Sequence, residues 1–315
     1  MPKLSVSAII TAYNSEQFIA EAISSVLDQS YPVDDILVVD DGSTDRTREI
    51  VASFAQRGVR YIYQENQGPG AARNTGLRET NGELIAFLDA DDIWLKEKTE
   101  IQLKFLSDHP DVALVSGFEW WWNVTKNKCS MVGDVSPGME SLRRDMLVYN
   151  KLGNPSRIMF RRSVLAEVGV FNPAIRWGQD WELWIRMVRR YQSAMLPTPV
   201  IVYRWHERNL SHTKRWERLY SYWNISVRAI RTHWPPWQRP FLMLRSWSLF
   251  TLRRARYLIQ TGSRWRAIGY ASAAFFAYPM DMGLEKLKVL LHAVAGDKFY
   301  LYSKQLYRWR WQVRG

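Results

Sequence analysis

Three carboxylates, Asp89, Asp91 and Asp92, end the apolar run Leu84-Ile85-Ala86-Phe87-Leu88. Carboxylates this close repel one another, and a fold tolerates them at a strand end when something positive sits among them. A hard divalent cation, Mn²⁺ or Mg²⁺, suits that place, because it takes oxygen ligands and combines one or two carboxylates with phosphate oxygens. The alternative is a polar turn in which Asp92 caps the next helix. A second acidic pair, Asp40-Asp41, ends the run Ile36 to Val39 and precedes Gly42-Ser43. Arg73 lies early in a helix beside this acidic row, suited to an ion pair or a phosphate contact. Asp180 follows Gly178 at a helix start, where a carboxylate either caps the helix or serves as a general base facing a cleft. His206 follows a late strand and, taken alone, reads as a surface or packed histidine.

The elements that carry these residues follow from the apolar pattern. Val6 to Thr11, Ile36 to Val39, Val59 to Tyr63 and Leu84 to Leu88 are short apolar runs of strand length. Runs of this kind suit strands buried on both faces of a parallel sheet. Helices are expected between them. The first has Phe18, Ile19, Ala22, Ile23, Val26 and Leu27 on one face, with Asn14 as N-cap and Gln17 as its capping-box partner. The others begin near Thr44 and at about Ala71. This alternation implies right-handed crossovers and an α/β, doubly wound, mostly parallel sheet flanked by helices. Ligands of such sheets bind outside the carboxyl ends of the strands. Thr11 and Tyr13, Asp40 and Asp41, the loop Asn66 to Asn74, and Asp89 to Asp92 all fall there. Gly68-Pro69-Gly70-Ala71-Ala72-Arg73 is not a dinucleotide fingerprint, since Arg73 stands where the third glycine belongs and the loop follows the third strand.

Beyond Leu88 the pattern is sparser. Lys96 to Leu106 reads as a helix, Val112 to Ser116 as a fifth strand and Val200 to Tyr203 as a late one. Trp120-Trp121-Trp122 either lines an acceptor groove or packs in a core. From Trp216 onward the spacing is helical, with breaks at Pro235-Pro236, Gly262 and Pro279. Two regions are therefore expected, residues 1–213 and a basic, Trp/Arg-rich helical extension over 214–315.

The chain has 315 residues, is 47% apolar and carries a net charge of +12. That charge is uneven: residues 204–315 hold 21 Lys and Arg against 5 Asp and Glu, while residues 1–203 balance at −4. One cysteine, Cys129, excludes an internal disulfide framework and reads as an inert thiol. No apolar stretch reaches the roughly 20 residues that span a bilayer, and the N-terminus lacks a signal peptide's apolar segment. The expectation is a cytoplasmic protein, peripheral on the inner face of the plasma membrane. Basic helices with Trp and Tyr suit an anionic membrane surface; the alternative is a bundle whose aromatics are core and whose arginines are solvated. The high basicity alone would also fit a nucleic-acid binder, but a row of carboxylates repels phosphate backbones, so no nucleic acid is expected as a partner.

Four blocks carry a family resemblance: Ala8-Ile9-Ile10-Thr11-Ala12-Tyr13-Asn14, Val38-Val39-Asp40-Asp41-Gly42-Ser43-Thr44-Asp45, Asn66-Gln67-Gly68-Pro69-Gly70-Ala71-Ala72-Arg73-Asn74 and Phe87-Leu88-Asp89-Ala90-Asp91-Asp92. In this order and spacing the chain resembles family-2 glycosyltransferases of the GT-A fold over about residues 4–212. Its C-terminal helices are loosely similar to extensions of bacterial members. The resemblance implies that Thr11, Ala12, Tyr13 and Asp41 contact the donor nucleotide and that Arg73 lies on its diphosphate side. It implies that Asp89-Ala90-Asp91 is the Asp-x-Asp motif, with Asp91 binding the metal. Gln179-Asp180 resembles the family's Glu-Asp pair, which makes Asp180 the general base; Gln179 departs from the pattern. His206 resembles a histidine that some members place near metal and diphosphate. The implied activity is inverting transfer from a nucleotide-diphosphate sugar to a glycan or lipid-linked acceptor. Its rival is a metal-dependent hydrolase of phosphoesters or glycosides, which leaves Thr11, Tyr13 and Asp41 without a purpose.

Overall fold

The four apolar runs form the parallel half of one sheet: β1 (Val6–Ala12), β2 (Asp35–Asp41), β3 (Val59–Gln64) and β4 (Leu84–Asp89). Their order is β3-β2-β1-β4, so β1 lies between the two strands that end in carboxylates. The register sets Thr11 opposite Val39 on one side and Asp89 on the other, and pairs Asp41 with Gln64. Ile9, Ile10, Leu37, Val38, Ile85 and Leu88 are fully buried, as a sheet covered on both faces requires. The crossovers are α1 (Ile19–Leu27), α2 (Thr47–Ala52) and α3 (Pro69–Glu79). Gly76 lets α3 close on β1, since a Cβ there would collide with Ile9 Cγ2.

The structure, a computed structural model, describes residues 4–133, 138–207, 209, 215–278 and 283–295. It divides into two compact units, Met1–Leu210 and Ser211–Gly315. Residues Tyr300 to Trp311, where aromatics alternate with cations, lie outside the described residues, as do 134–137.

The rest of the first unit comprises β5 (Ile93–Trp94), α4 (Lys98–Asp108), β6 (Val112–Asn123), β7 (Lys128–Val132), α5 (Met139–Met146), β8 (Met159–Arg161), α6 (Leu165–Val168), α7 (Gln179–Arg190) and β9 (Gln192–Trp205). The sheet continues β4-β8-β6-β9-β5, with β7 paired to β6. β8 runs antiparallel to both β4 and β6, while β6 and β9 are parallel. The parallel expectation thus describes β3-β2-β1-β4, and the second half is mixed.

Two expected strands are longer than their apolar signal. β6 runs on to Asn123, and β9 starts eight residues before Val200. Pro197 and Pro199 hid that length, because proline removes a ladder donor. The β6–β9 register accommodates them by slipping on each side of Phe118, which faces Pro199. Trp121, far from being core, is 41% exposed and stacks on Tyr203. Behind β6, buried Arg157 donates through Nε to the Gly117 carbonyl (2.6 Å) and lies 4.0 Å from Glu119.

The expected N-cap, Asn14, does not cap α1. Asn14 adopts a positive φ of 47°, a region asparagine tolerates. Its side chain accepts from Thr44 N and its N–H donates to Ser43 Oγ, which ties the β1 loop to the β2 loop. The Ser15 carbonyl takes the Phe18 and Ile19 N–H groups instead.

The second unit consists of α8 (Arg215–His233), α9 (Arg239–Gln260), α10 (Arg264–Ala277) and α11 (Gly283–Ala295). Leu252, Ala255, Ala271, Ala274 and Val289 form its buried cluster. The small alanines let α9 and α10 approach closely, and the Ser248 hydroxyl donates across to the Ala274 carbonyl. No helix among the described residues is long and apolar enough to cross a membrane.

Candidate active site

The end of β4 gathers three elements around Asp89. Its Oδ1 accepts from Thr11 Oγ1 on β1 (3.3 Å) and from Arg73 Nη2 on α3 (2.5 Å). Arg73 is only 4% exposed, which excludes a solvated helix arginine. Its Nε and Nη1 are buried without a hydrogen-bond partner. Two such donors are costly to leave unmet, so they are suited to a ligand anion. Asn74, next along, holds α3 to the segment before α7: its amide donates to the Phe171 carbonyl (2.8 Å) and accepts from the Phe171 N–H (3.0 Å).

Asp180 stands in the first turn of α7, after Gly178 at φ 83°. Its carboxylate accepts from the first-turn backbone N–H groups of Trp181 and of Asp180 itself, so it interacts with the helix start as well as facing Asn150, whose Nδ2 lies 3.4 Å from Oδ2. Burial raises the Asp180 carboxyl above its ordinary value, and the positive charge of Arg73 opposes that rise. Arg73 therefore acts on Asp89 by contact and on Asp180 through its field. Gln179 is buried and packs against Gly70, where an added Cβ would lie 3.3 Å from Gln179 Cγ. The neutral residue in the pair thus lies against α3 and leaves Asp180 as the pair's acid.

Beyond Asp89 the chain turns, with the Asp92 N–H donating to the Asp89 carbonyl. Asp92 does not cap α4, whose N-cap is Glu97. It is fully buried, accepting from Ser156 Oγ (2.6 Å) and the Arg204 N–H (3.3 Å). Burial, followed by the nearby Asp91 and Asp89 charges, raises its carboxyl well above the ordinary range. Asp91 is more open. Its Oδ2 lies 3.2 Å from His206 Nε2 and accepts from Asn209 Nδ2 (3.0 Å). His206 is therefore neither isolated nor merely on the surface: it stacks on Phe18 and meets Asp91. Arg204 fastens this return of the chain, donating to the Asp91 carbonyl (2.6 Å), pairing with Glu21 and lying over the Phe18 ring.

Asp41 has a different setting. Oδ1 accepts from Gln64 Nε2 (2.7 Å) and Gln67 N (3.0 Å), and Oδ2 from Gly68 N (2.8 Å). It thereby fixes the loop that launches α3 and its Arg73. Tyr13, just past the end of β1, is 54% exposed, while Ala12 and Ala90 bury their methyls and can offer a ligand only main chain. Asp89, Thr11 and Arg73 are in direct contact and Asp91 meets His206; Asp41 and Tyr13 share the strand edge without touching either group. Asn209, Arg204, Ser156 and Asn150 carried no sequence signal, because each is isolated in the chain and acquires its partner only through folding.

A family model described as "Glycosyl transferase family 2" matches residues 7–169, just over half of the chain. The chain belongs to glycosyl transferase family 2. An uncharacterized glycosyltransferase of Rickettsia felis is 46% identical over 186 residues, 59% of this family 2 chain and 30% of that protein. The chain matches a similar 30% of a Rickettsia conorii relative. A putative teichuronic acid biosynthesis glycosyltransferase, TuaG of Bacillus subtilis, is 29% identical over 72% of this chain and 89% of its own. Among solved structures, S. aureus TarS 1–349 in complex with UDP-GlcNAc superposes with a TM-score of 0.64 at 19% identity, covering 97% of this chain and 92% of that one. Mannosyltransferase PcManGT of Pyrobaculum calidifontis, in complex with GDP-Man and Mn2+, gives 0.62 at 23% identity over 96% and 84%. This family 2 chain has the GT-A fold with C-terminal helices. The match favours neither the hydrolase nor the nucleic-acid reading.

The donor set at Asp91 fits Mn²⁺ or Mg²⁺. It offers one carboxylate and one imidazole, and His206 Nδ1 is buried without a partner. Among the described residues no three acidic, His or Cys side chains converge on one point. Such a pair leaves most of the coordination sphere to phosphate oxygens and water, as Mg²⁺ and Mn²⁺ accept.

Proposed function

We propose that the first unit moves a sugar, with inversion, from a nucleotide-diphosphate donor to a hydroxyl of a glycan or lipid-linked acceptor. The observation that carries this reading is the arrangement around Arg73: a buried cation with two free donors beside Asp89, whose charge also keeps Asp180 ionisable. Asp180 takes the proton from the acceptor hydroxyl as the oxygen attacks. Desolvation makes it a stronger base than an exposed aspartate. Arg73 offers its buried N–H groups to the diphosphate while remaining paired to Asp89. Thr11, Tyr13 and the main chain of Ala12 line the nucleotide side, with Asp41 holding the adjoining loop. Asp91 and His206 would hold Mn²⁺ or Mg²⁺, which when bound neutralises the departing diphosphate. The donor classes named for the TarS and PcManGT complexes support a nucleotide sugar; the TuaG likeness supports a bacterial cell-envelope glycan as acceptor. The second unit's excess of basic over acidic residues supports peripheral contact with an anionic membrane.

The test is a thermal-shift screen of nucleotide sugars with Mn²⁺, followed by NMR of the product's anomeric centre. A stabilising donor and an inverted product are expected. Donor hydrolysis that no acceptor redirects, or a retained configuration, would overturn the reading.

A further inference from the structure

α9 and α10 enclose an open cleft of about 460 Å³ within the second unit. Trp247, Arg254 and Leu258 line it from one stripe of α9, and Arg266, Gly269 and Tyr270 from α10. No Asp or Glu lines it. The Arg254 guanidinium lies 3.9 Å from the Trp216 ring centroid and 4.4 Å from that of Tyr270. Stacking of this kind uses the faces of the cation and leaves its in-plane N–H groups available. Neither Arg254 nor Arg266 forms an ion pair among the described residues. Gly269 is exposed, and a Cβ added there would meet nothing within 4 Å.

We propose that this cleft binds the phosphate headgroup of an anionic membrane lipid. Arg254 and Arg266 pair with the phosphate oxygens. Trp247, Leu258 and Tyr270 contact the glycerol and first acyl carbons, at the depth where aromatic side chains settle in a bilayer. A free anion would need no apolar wall. A nucleic-acid strand stacks on open aromatic faces, and here Arg254 already covers a face of Trp216 and of Tyr270. Trp265, 88% exposed beside Arg264 and Arg266, extends the same combination of ring and cation along the rim. The proposal deepens the membrane contact given above and rests on it.

The experiment uses the full chain and two probes. Dihexanoyl phosphatidic acid below its micellar concentration is titrated by tryptophan fluorescence, and vesicles of phosphatidylcholine with phosphatidylglycerol are used for flotation. Saturable binding of the short lipid is expected. Gly269→Met, which fills the cleft from an open helical position, should weaken it about tenfold or more. Arg266→Gln, at an exposed and unpaired site, supplies a second variant should the first misfold, and it should weaken binding in the same direction. Both variants should float less than the wild type. Inorganic phosphate binding as tightly as the lipid, or a short oligoribonucleotide displacing the lipid, would overturn the assignment. Wild type and Gly269→Met floating equally and binding the short lipid equally would overturn this cleft and leave the membrane contact standing. Absence of wild-type flotation would overturn the membrane contact and this proposal with it.

Discussion

Arg73 meets Asp89 at 2.5 Å and Arg204 pairs with Glu21, whereas Arg254 lies between the rings of Trp216 and Tyr270. In the first unit Arg73 and Arg204 are thus matched to acids, and in the second Arg254 is matched to aromatic faces. Paired charges in a low-dielectric site are fixed in place and tune one another. A cation held by rings keeps its hydrogen-bonding edge for something external. On the proposed reading the difference separates charge that builds a reaction site from charge that awaits a partner.

That contrast can be broken most sharply at Asp180. Asp180→Asn should lower kcat by about 10²–10⁴-fold, the span of general base catalysis, with donor affinity by calorimetry nearly unchanged. Turnover within a few-fold of wild type would remove the base from the first unit's account. Next in size is Arg157→Leu, which strands Glu119 in the interior. Burial already raises the Glu119 carboxyl, and Arg157 opposes that rise. Losing one partner of a buried pair costs about 3–5 kcal/mol, readable as a lower urea midpoint.

Asn209→Ala is a milder probe of the same principle. Asn209 donates to both Asp91 and the Arg204 carbonyl and accepts from the His206 N–H. Removing an orienting partner of this kind costs about 10–100-fold in metal affinity, which Mn²⁺ paramagnetic resonance measures without turnover. Arg73→Met sharpens the comparison through pH. The Arg73 charge favours ionised Asp180, so without it burial acts unopposed and Asp180 holds its proton to higher pH. The acid limb of the kcat profile should therefore move toward alkaline pH. Arg266→Glu should do least to the fold, within about 0.5 kcal/mol as for unpaired surface positions. It should still weaken binding to anionic vesicles by about 1 kcal/mol per charge changed, more at low salt than at high.

The parallel strands and their acidic ends were legible, because a strand buried on both faces must be apolar along its length and must stop where it meets solvent. Asp89, Asp91 and Asp41 stood out for that reason. Arg73 could be placed beside them, but not its two unmet donors, which depend on how α3 packs over Phe171. Asn14 misled: its spacing to Gln17 fits a helix cap, yet the competing partners Ser43 and Thr44 arrive from a neighbouring strand. The length of β9 was hidden by two prolines that its register with β6 accommodates. Asn209 and Ser156 were invisible for the plainest reason, that a single polar residue has no periodicity to betray it.

The partners of Asp91, His206 and Asn209, lie 115 and 118 residues further along the chain. A nascent chain that has finished β4 and its turn therefore exposes Asp91 long before either partner has been synthesised. The Asp91–His206 pair proposed to hold a metal ion is complete only when the last strand of the first unit has threaded home. Any fragment ending before residue 206 should thus leave the ribosome with its sheet largely drawn and Asp91 still without its two partners.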